Sequence, residues 1–177
     1  MAFILKLFKK IKQSNVTIAG LDNAGKTAFV NYLIKGTFVP TVPTAGINRE
    51  TINLPKLQLA VYDLGGQEKF RGLWTQVNEK ANGLIYVIDS TDKARFDLTL
   101  QILYEILETQ VNELIPVLIL LHKHDLPERI ELEEFLAKTD FTRFNVKWSC
   151  FETSAKTGEG IIKAMTWFIK ELEAQTQ

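Results

Sequence analysis

The chain has a single cysteine, Cys150, in 177 residues. One thiol excludes an internal disulfide, and its place in the apolar run from Val146 to Phe151 marks it as a buried, inert side chain. A reducing, cytoplasmic compartment fits that usage. Long apolar stretches are lacking too, and no run approaches the ~18 residues of a membrane span. Net charge is absent, with 21 basic residues against 21 acidic ones. No general affinity for nucleic acid is therefore implied. Repeats, low-complexity tracts and Pro/Gly/Ser linkers are missing as well, so the chain reads as one domain with room for a sizeable core. Its last five residues, 173–177, contain no cysteine, and C-terminal prenylation is not expected.

Acidic residues are absent from the first 21 positions, which hold Lys6, Lys9, Lys10 and Lys12 and carry +4, while the remainder carries −4. That asymmetry gives the N-terminus a partner of its own. At about 100° per residue, Phe3, Ile4, Leu7, Phe8 and Ile11 share one helical face. The four lysines share the other, with Leu5 among them. A basic amphipathic helix of this kind lies on a membrane surface, and each lysine near an anionic leaflet contributes ~1 kcal/mol. Residues 2–12 thus predict reversible attachment to intracellular membranes. A helix packed permanently on the domain is the alternative. Lysines interrupt the apolar run and no cleavage site follows, so a signal peptide is not expected. The expected division is an amphipathic helix over 1–12 and one domain over 13–177.

Strand-like runs fall near 15–19, 47–53, 57–63, 83–89, 117–121 and 148–153. Leu84–Ile88 and Val117–Leu121 are continuously apolar, as strands covered on both faces should be. Helical spacing aligns Phe96, Leu100, Leu103 and Leu107, and again Ile161, Met165, Phe168 and Leu172. The alternation predicts an α/β fold, a six-stranded, mostly parallel sheet with helices on both faces. In such sheets ligands bind beyond the carboxyl ends of the strands. Four loops that hold motifs fall there.

The first loop, Gly20-Leu21-Asp22-Asn23-Ala24-Gly25-Lys26-Thr27, matches the phosphate-binding pattern G-x-x-x-x-G-K-[ST] between a strand and a helix. Its backbone N–H groups, from Asp22, Asn23, Ala24, Gly25, Lys26, Thr27 and Ala28, would face phosphate oxygens at a helix N-terminus. Lys26 would reach the β- and γ-phosphates, and the Thr27 hydroxyl would ligate magnesium. A tight turn with Lys26 solvated is the plainer reading. The second loop is Asp63-Leu64-Gly65-Gly66-Gln67. Asp63 can support magnesium through water, the Gly66 N–H can approach a γ-phosphate, and Gln67 can orient an attacking water. Thr44, 17 residues past Thr27, can close over the same ion. His122-Lys123-His124-Asp125 follows the run 117–121. Asp125 can accept from the N1–H and 2-amino group of guanine, a donor pair that adenine lacks, and the Lys123 stem can cover the purine face. His122 and His124 have a metal-like spacing, but they are the only two histidines and the sequence offers no third ligand, so a metal there is not expected. In Ser154-Ala155-Lys156, the Ala155 N–H can meet guanine O6 and Lys156 can line the base pocket; a polar helix cap is the plainer reading.

Together these elements resemble the small GTPases of the Ras superfamily, a P-loop NTPase group, across nearly the whole chain. The details are similar to the ADP-ribosylation factor and Arf-like branch. Residues 20–27 are close to its GLDxAGKT, 63–74 to its D-x-GGQ-x-x-x-R-x-x-W, and 42–48 to its IPTxGFN. The resemblance implies GTP and GDP with Mg2+ as cofactors. It implies slow intrinsic hydrolysis at a switch I around Thr44 and a switch II around Gln67, with exchange factors, GTPase-activating proteins and effectors as partners. No arginine in these loops is an evident cis finger. It further implies that a register shift of the strands between the switches expels the N-terminal helix. The setting is membrane-linked, as in vesicle traffic, and the chain is expected to act as a monomer.

Three departures stand out. His122 replaces the Asn of the family's N-K-x-D, which touches purine N7 and ties the base loop to the phosphate loop. An imidazole can donate one hydrogen bond to N7; if only the protonated ring, titrating near pH ~6.5, donates well, GDP release quickens as pH rises from ~6 to ~8. Ile47, Tyr62 and Val77 stand where the family has an aromatic effector cluster. Ala2 replaces the glycine that is myristoylated, and M-G-x-x-x-[ST] is absent. His122 also raises a second reading, a nucleotide-binding scaffold that does not cycle; Asp125 and the lack of a second substrate domain argue against a third, an ATP-dependent enzyme.

If the lysine-rich helix is coupled to the nucleotide, the GTP form of the full chain is expected to sediment with anionic liposomes more than the GDP form. Deletion of residues 1–12 should abolish that binding. Equal sedimentation of the two forms would sink the coupling.

Overall fold

The structure is a computed structural model and describes residues 13–41, 49–54, 57–62, 81–109 and 115–175. The N-terminal segment 1–12 lies outside these residues. The described chain runs β1 (Ser14–Ala19), α1 (Lys26–Lys35), β2 (Arg49–Leu54), β3 (Leu57–Tyr62) and β4 (Gly83–Asp89). A 3-10 turn at Lys93–Arg95 leads into α2 (Phe96–Thr109), then β5 (Pro116–His122), α3 (Leu132–Lys138), β6 (Lys147–Glu152) and α4 (Ile161–Ala174). Six strands form one sheet in the order β2-β3-β1-β4-β5-β6. Only β2 runs antiparallel, against β3.

The expected α/β architecture is present, and the apolar runs explain it. β4 and β5 occupy the centre-right of the sheet, and residues 84–88 and 116–122 are buried on both faces. On one face Phe29 and Leu33 of α1 meet Met165, Phe168 and Leu172 of α4 over Ile18, Ile85 and Leu118. On the other, Phe96, Leu103 and Leu107 of α2 and Phe135 of α3 cover Tyr86, Ile88 and Ile119. Both helical stripes read from the sequence are these buried faces. The seven-residue α3 carries no such stripe; Phe135 is its one buried residue, wedged between Phe96 and Phe141. Among the described residues no helix is long and apolar enough to cross a membrane.

Register decides what meets at the carboxyl edge. Asp89 at the end of β4 pairs with His122 at the end of β5, and Leu121 pairs with Glu152. The loops after β4, β5 and β6 therefore emerge side by side. The chain leaves β1 toward β3 on one side and reaches β4 on the other, so the loop after β1 opens at the sheet's topological switch point, where ligands bind.

Cys150 of β6 is buried in the core on the face covered by α2 and α3, and burial pushes its thiol well above the usual range. The native protein is expected not to react with a thiol reagent such as DTNB at pH 8. One thiol should appear on unfolding in denaturant. Rapid labelling of the folded chain would show that this face opens.

Candidate nucleotide site

The loop from Gly20 to Gly25 is shaped by where side chains are missing. Gly20 has φ +152, and a Cβ there would lie 2.1 Å from the carbonyl oxygen of Val87, so the loop lies directly against β4. Asn23 and Gly25 adopt positive φ, 59° and 97°. Such turns aim successive backbone N–H groups into one concavity. α1 then begins with no side-chain cap. The first N–H groups of any helix point out from its N-terminus, and the helix dipole adds partial positive charge. A short anionic oxygen cluster fits there, as a nucleotide's phosphates would.

Lys26 is buried, and its Nζ donates to the carbonyls of Gly20 at 3.0 Å and Leu21 at 2.7 Å. These contacts fold the side chain back over the loop. Thr27 follows, half-buried in the first helical turn. Asp22 lends its backbone to the loop while its carboxylate turns away to Arg95, whose Nη1 donates at 2.6 Å. The Arg95 Nε donates to Asp92 at 2.6 Å. Arg95 was invisible to motif reading; its one sequence signal is the spacing Asp92-x-x-Arg95 on a short turn.

A cleft of about 290 Å³ runs from this loop to the ends of β5 and β6. Asn23, Gly25 and Ala28 line one end, and Lys123, Asp125 and Ala155 the other. Its size lies near the lower end for small-molecule sites. Phe38, exposed after α1, also lines it and had no sequence signal of its own. The Asp125 carboxylate accepts from the Ser154 hydroxyl at 2.5 Å, and Lys156 Nζ stands 3.7 Å from its other oxygen. The Ser154 oxygen in turn accepts from the N–H groups of Lys156 and Thr157. Ser154 thereby aims the acid while holding its own loop. Lys123, at φ 62°, ties its Nζ to Asp89 at 2.7 Å. Asp89 also accepts from the backbone N–H and hydroxyl of Thr91. The Lys123 stem is thus held at both ends along the cleft wall.

His122 also lines the cleft, and its charge state, not its place, corrects the sequence expectation. Its ring is buried, with Nδ1 3.0 Å from the Thr153 hydroxyl and an edge-on contact to Phe29. The opposite edge backs the phosphate loop. A Cβ on Gly25 would lie 2.5 Å from Cδ2 and 3.1 Å from Nε2. Burial, with the nearby Lys123 charge second, lowers its pKa to about 4. The ring is neutral between pH 6 and 8, so it supplies no pH dependence of nucleotide release in that range.

Thr44, Asp63, Gly66 and Gln67 lie outside the described residues, as do Ile47 and Val77. The site as described therefore comprises the phosphate loop and the loops after β5 and β6.

A parallel α/β sheet with an uncapped, glycine-turned helix N-terminus at its switch point and an acid-bearing cleft beyond β5 defines a nucleotide-binding P-loop protein. A model of the ADP-ribosylation factor family matches residues 1–172. The chain belongs to that family and is an Arf-like small GTPase of the Ras superfamily. Members of this family bind GTP and GDP with Mg2+ and work with regulators and effectors.

The buried neutral ring carries a stability signature. Unfolded, His122 binds a proton near pH 6.5; folded, it does so only near 4. Between those values the unfolded chain binds more protons, so stability falls as pH drops through the window. From pH 7 to pH 5 the loss is about 2 kcal/mol. Urea unfolding at both pH values should show that loss in the wild type and not in His122→Asn. Equal losses would mean that the ring is not held neutral.

Proposed function

We propose that this chain is an Arf-like switch that cycles between GDP and GTP forms and contacts membranes reversibly through residues 2–12, in a process such as vesicle traffic. The observation that supports it best is the cleft that joins the phosphate loop to Asp125. Phosphates would lie on the N–H groups of residues 22–28 with Lys26 above them. Guanine would offer its N1–H and 2-amino group to Asp125, already aimed by Ser154, with the Lys123 stem along its face. Ala155 and Lys156 would close the base pocket. When bound, magnesium would neutralise phosphate charge, held by Thr27 and Thr44 with Asp63 behind. Gln67 would orient the water, slowly alone and faster with a GTPase-activating protein.

A non-cycling scaffold is the second reading. It draws on His122, whose ring is taken up by Thr153 and Gly25 in place of a carboxamide.

Nucleotide extracted from the purified protein should be GDP or GTP, and binding of GDP should far exceed binding of ADP. Recovery of adenine nucleotide would overturn the guanine assignment. Gln67→Leu should retain GTP but lose about 100-fold or more of the hydrolysis stimulated by a GTPase-activating protein, the scale of one lost catalytic group. Unchanged single-turnover rates would favour the scaffold.

A further inference from the structure

His124 stands between Lys123 and Asp125, yet it does not line the nucleotide cleft. Its side chain is only 9% exposed and meets two acids from elsewhere in the chain. Nε2 is 3.0 Å from Oε2 of Glu131 and 3.5 Å from Oε1 of Glu152. The three atoms all lie within 4.8 Å of one another. Sequence spacing suggests no acid as a partner for His124; the fold brings it two, without His122. Glu131 precedes α3, and Glu152 ends β6.

Two carboxylate oxygens within 4.8 Å of each other repel, and Nε2 has at most one proton to place between them. Arg129 offsets part of that charge, but its Nε faces the other Glu131 oxygen, Oε1, at 3.2 Å. A divalent cation among the three atoms satisfies all of them. Ligands at 2.0–2.1 Å around a tetrahedral zinc ion stand roughly 3.3–3.4 Å apart, and the two distances to Nε2 bracket that value. One imidazole nitrogen with two carboxylates suits a borderline ion such as zinc better than magnesium or calcium, which prefer oxygen alone. The ligands are also held from behind. The Leu132 N–H donates to Glu152 Oε1 at 2.6 Å, Arg129 flanks Glu131, and the His124 N–H donates to the Thr153 carbonyl. A carboxylate oxygen has a second lone pair, so the Leu132 bond does not bar a metal.

We propose that His124, Glu131 and Glu152 form a zinc site that fastens the base loop after β5 to the end of β6. Glu152 is followed directly by Thr153 and Ser154, which hold His122 and Asp125. An ion at this site would restrain both walls of the base cleft from outside it. The site stands on its own geometry; its effect on nucleotide release rests on the guanine reading above.

The test uses the full chain loaded with a fluorescent GDP analogue and Mg2+, titrated with Zn2+ against a chromogenic zinc indicator. One Zn2+ per chain is expected. Glu131→Gln, at an exposed position that should not disturb folding, and His124→Gln should each weaken uptake about tenfold or more. Uptake that is absent, or equal in all three proteins, overturns the site and leaves the guanine reading intact. With Zn2+ bound, release of the GDP analogue should slow about fivefold in the wild type, the lower end of a usual coupling between sites, and not in Glu131→Gln. Equal release with and without Zn2+ overturns the fastening. Failure to load the analogue at all removes the guanine reading and the fastening with it, while the Zn2+ titration of the unloaded chain still decides the site.

Discussion

The candidate site is organised around one contact, the packing of the His122 ring into the space that Gly25 leaves by having no Cβ. Three parts of the chain meet at that ring. The phosphate loop rests on one edge, Thr153 bonds the other, and Phe29 of α1 packs side-on. Thr153 is itself tied to β5 by its N–H to the Leu121 carbonyl. Because Ser154 is the next residue and aims Asp125, a displacement of the phosphate loop is felt at the Asp125 carboxylate through two covalent neighbours. A histidine performs this joining by volume and one hydrogen bond. It can stay there only as a neutral ring, since a buried imidazolium without a facing acid is costly.

The fold was legible because its signals are local. Two uninterrupted apolar runs identify the strands covered on both faces, and two helical stripes identify what covers them. The phosphate loop was legible for the same reason, since its glycines, lysine and threonine are contiguous. α3 leaves no such signal, because seven residues with a single buried side chain have no period. Arg95–Asp22, Lys123–Asp89 and Ser154–Asp125 join residues 73, 34 and 29 positions apart. Strand register and crossover geometry create such pairs, and neither is written in any one segment. The charge state of His122 failed for a related reason: a side-chain type supplies the ordinary pKa, whereas burial, which only the fold decides, moved it.

The acids around the cleft follow a common logic. A site for a polyanion works against itself if uncompensated carboxylates surround it. Asp22 and Asp92 share Arg95, and Asp89 holds Lys123. Each of these acids is paired with a cation that also orients something useful, the loop backbone in one case and the cleft wall in the other. Asp125 differs, because its close partner is a neutral hydroxyl and Lys156 stands at 3.7 Å. Its carboxylate is fixed in position by the hydroxyl and only loosely met by Lys156, and a carboxylate that accepts one bond keeps lone pairs for more. Of the described acids at this edge, it is the one suited to recognising two donors on a ligand. The acids that would only repel phosphate are neutralised in pairs, and the acid at the far end of the cleft keeps its accepting capacity. The cleft thus offers phosphate-loop N–H groups at one end and a carboxylate at the other.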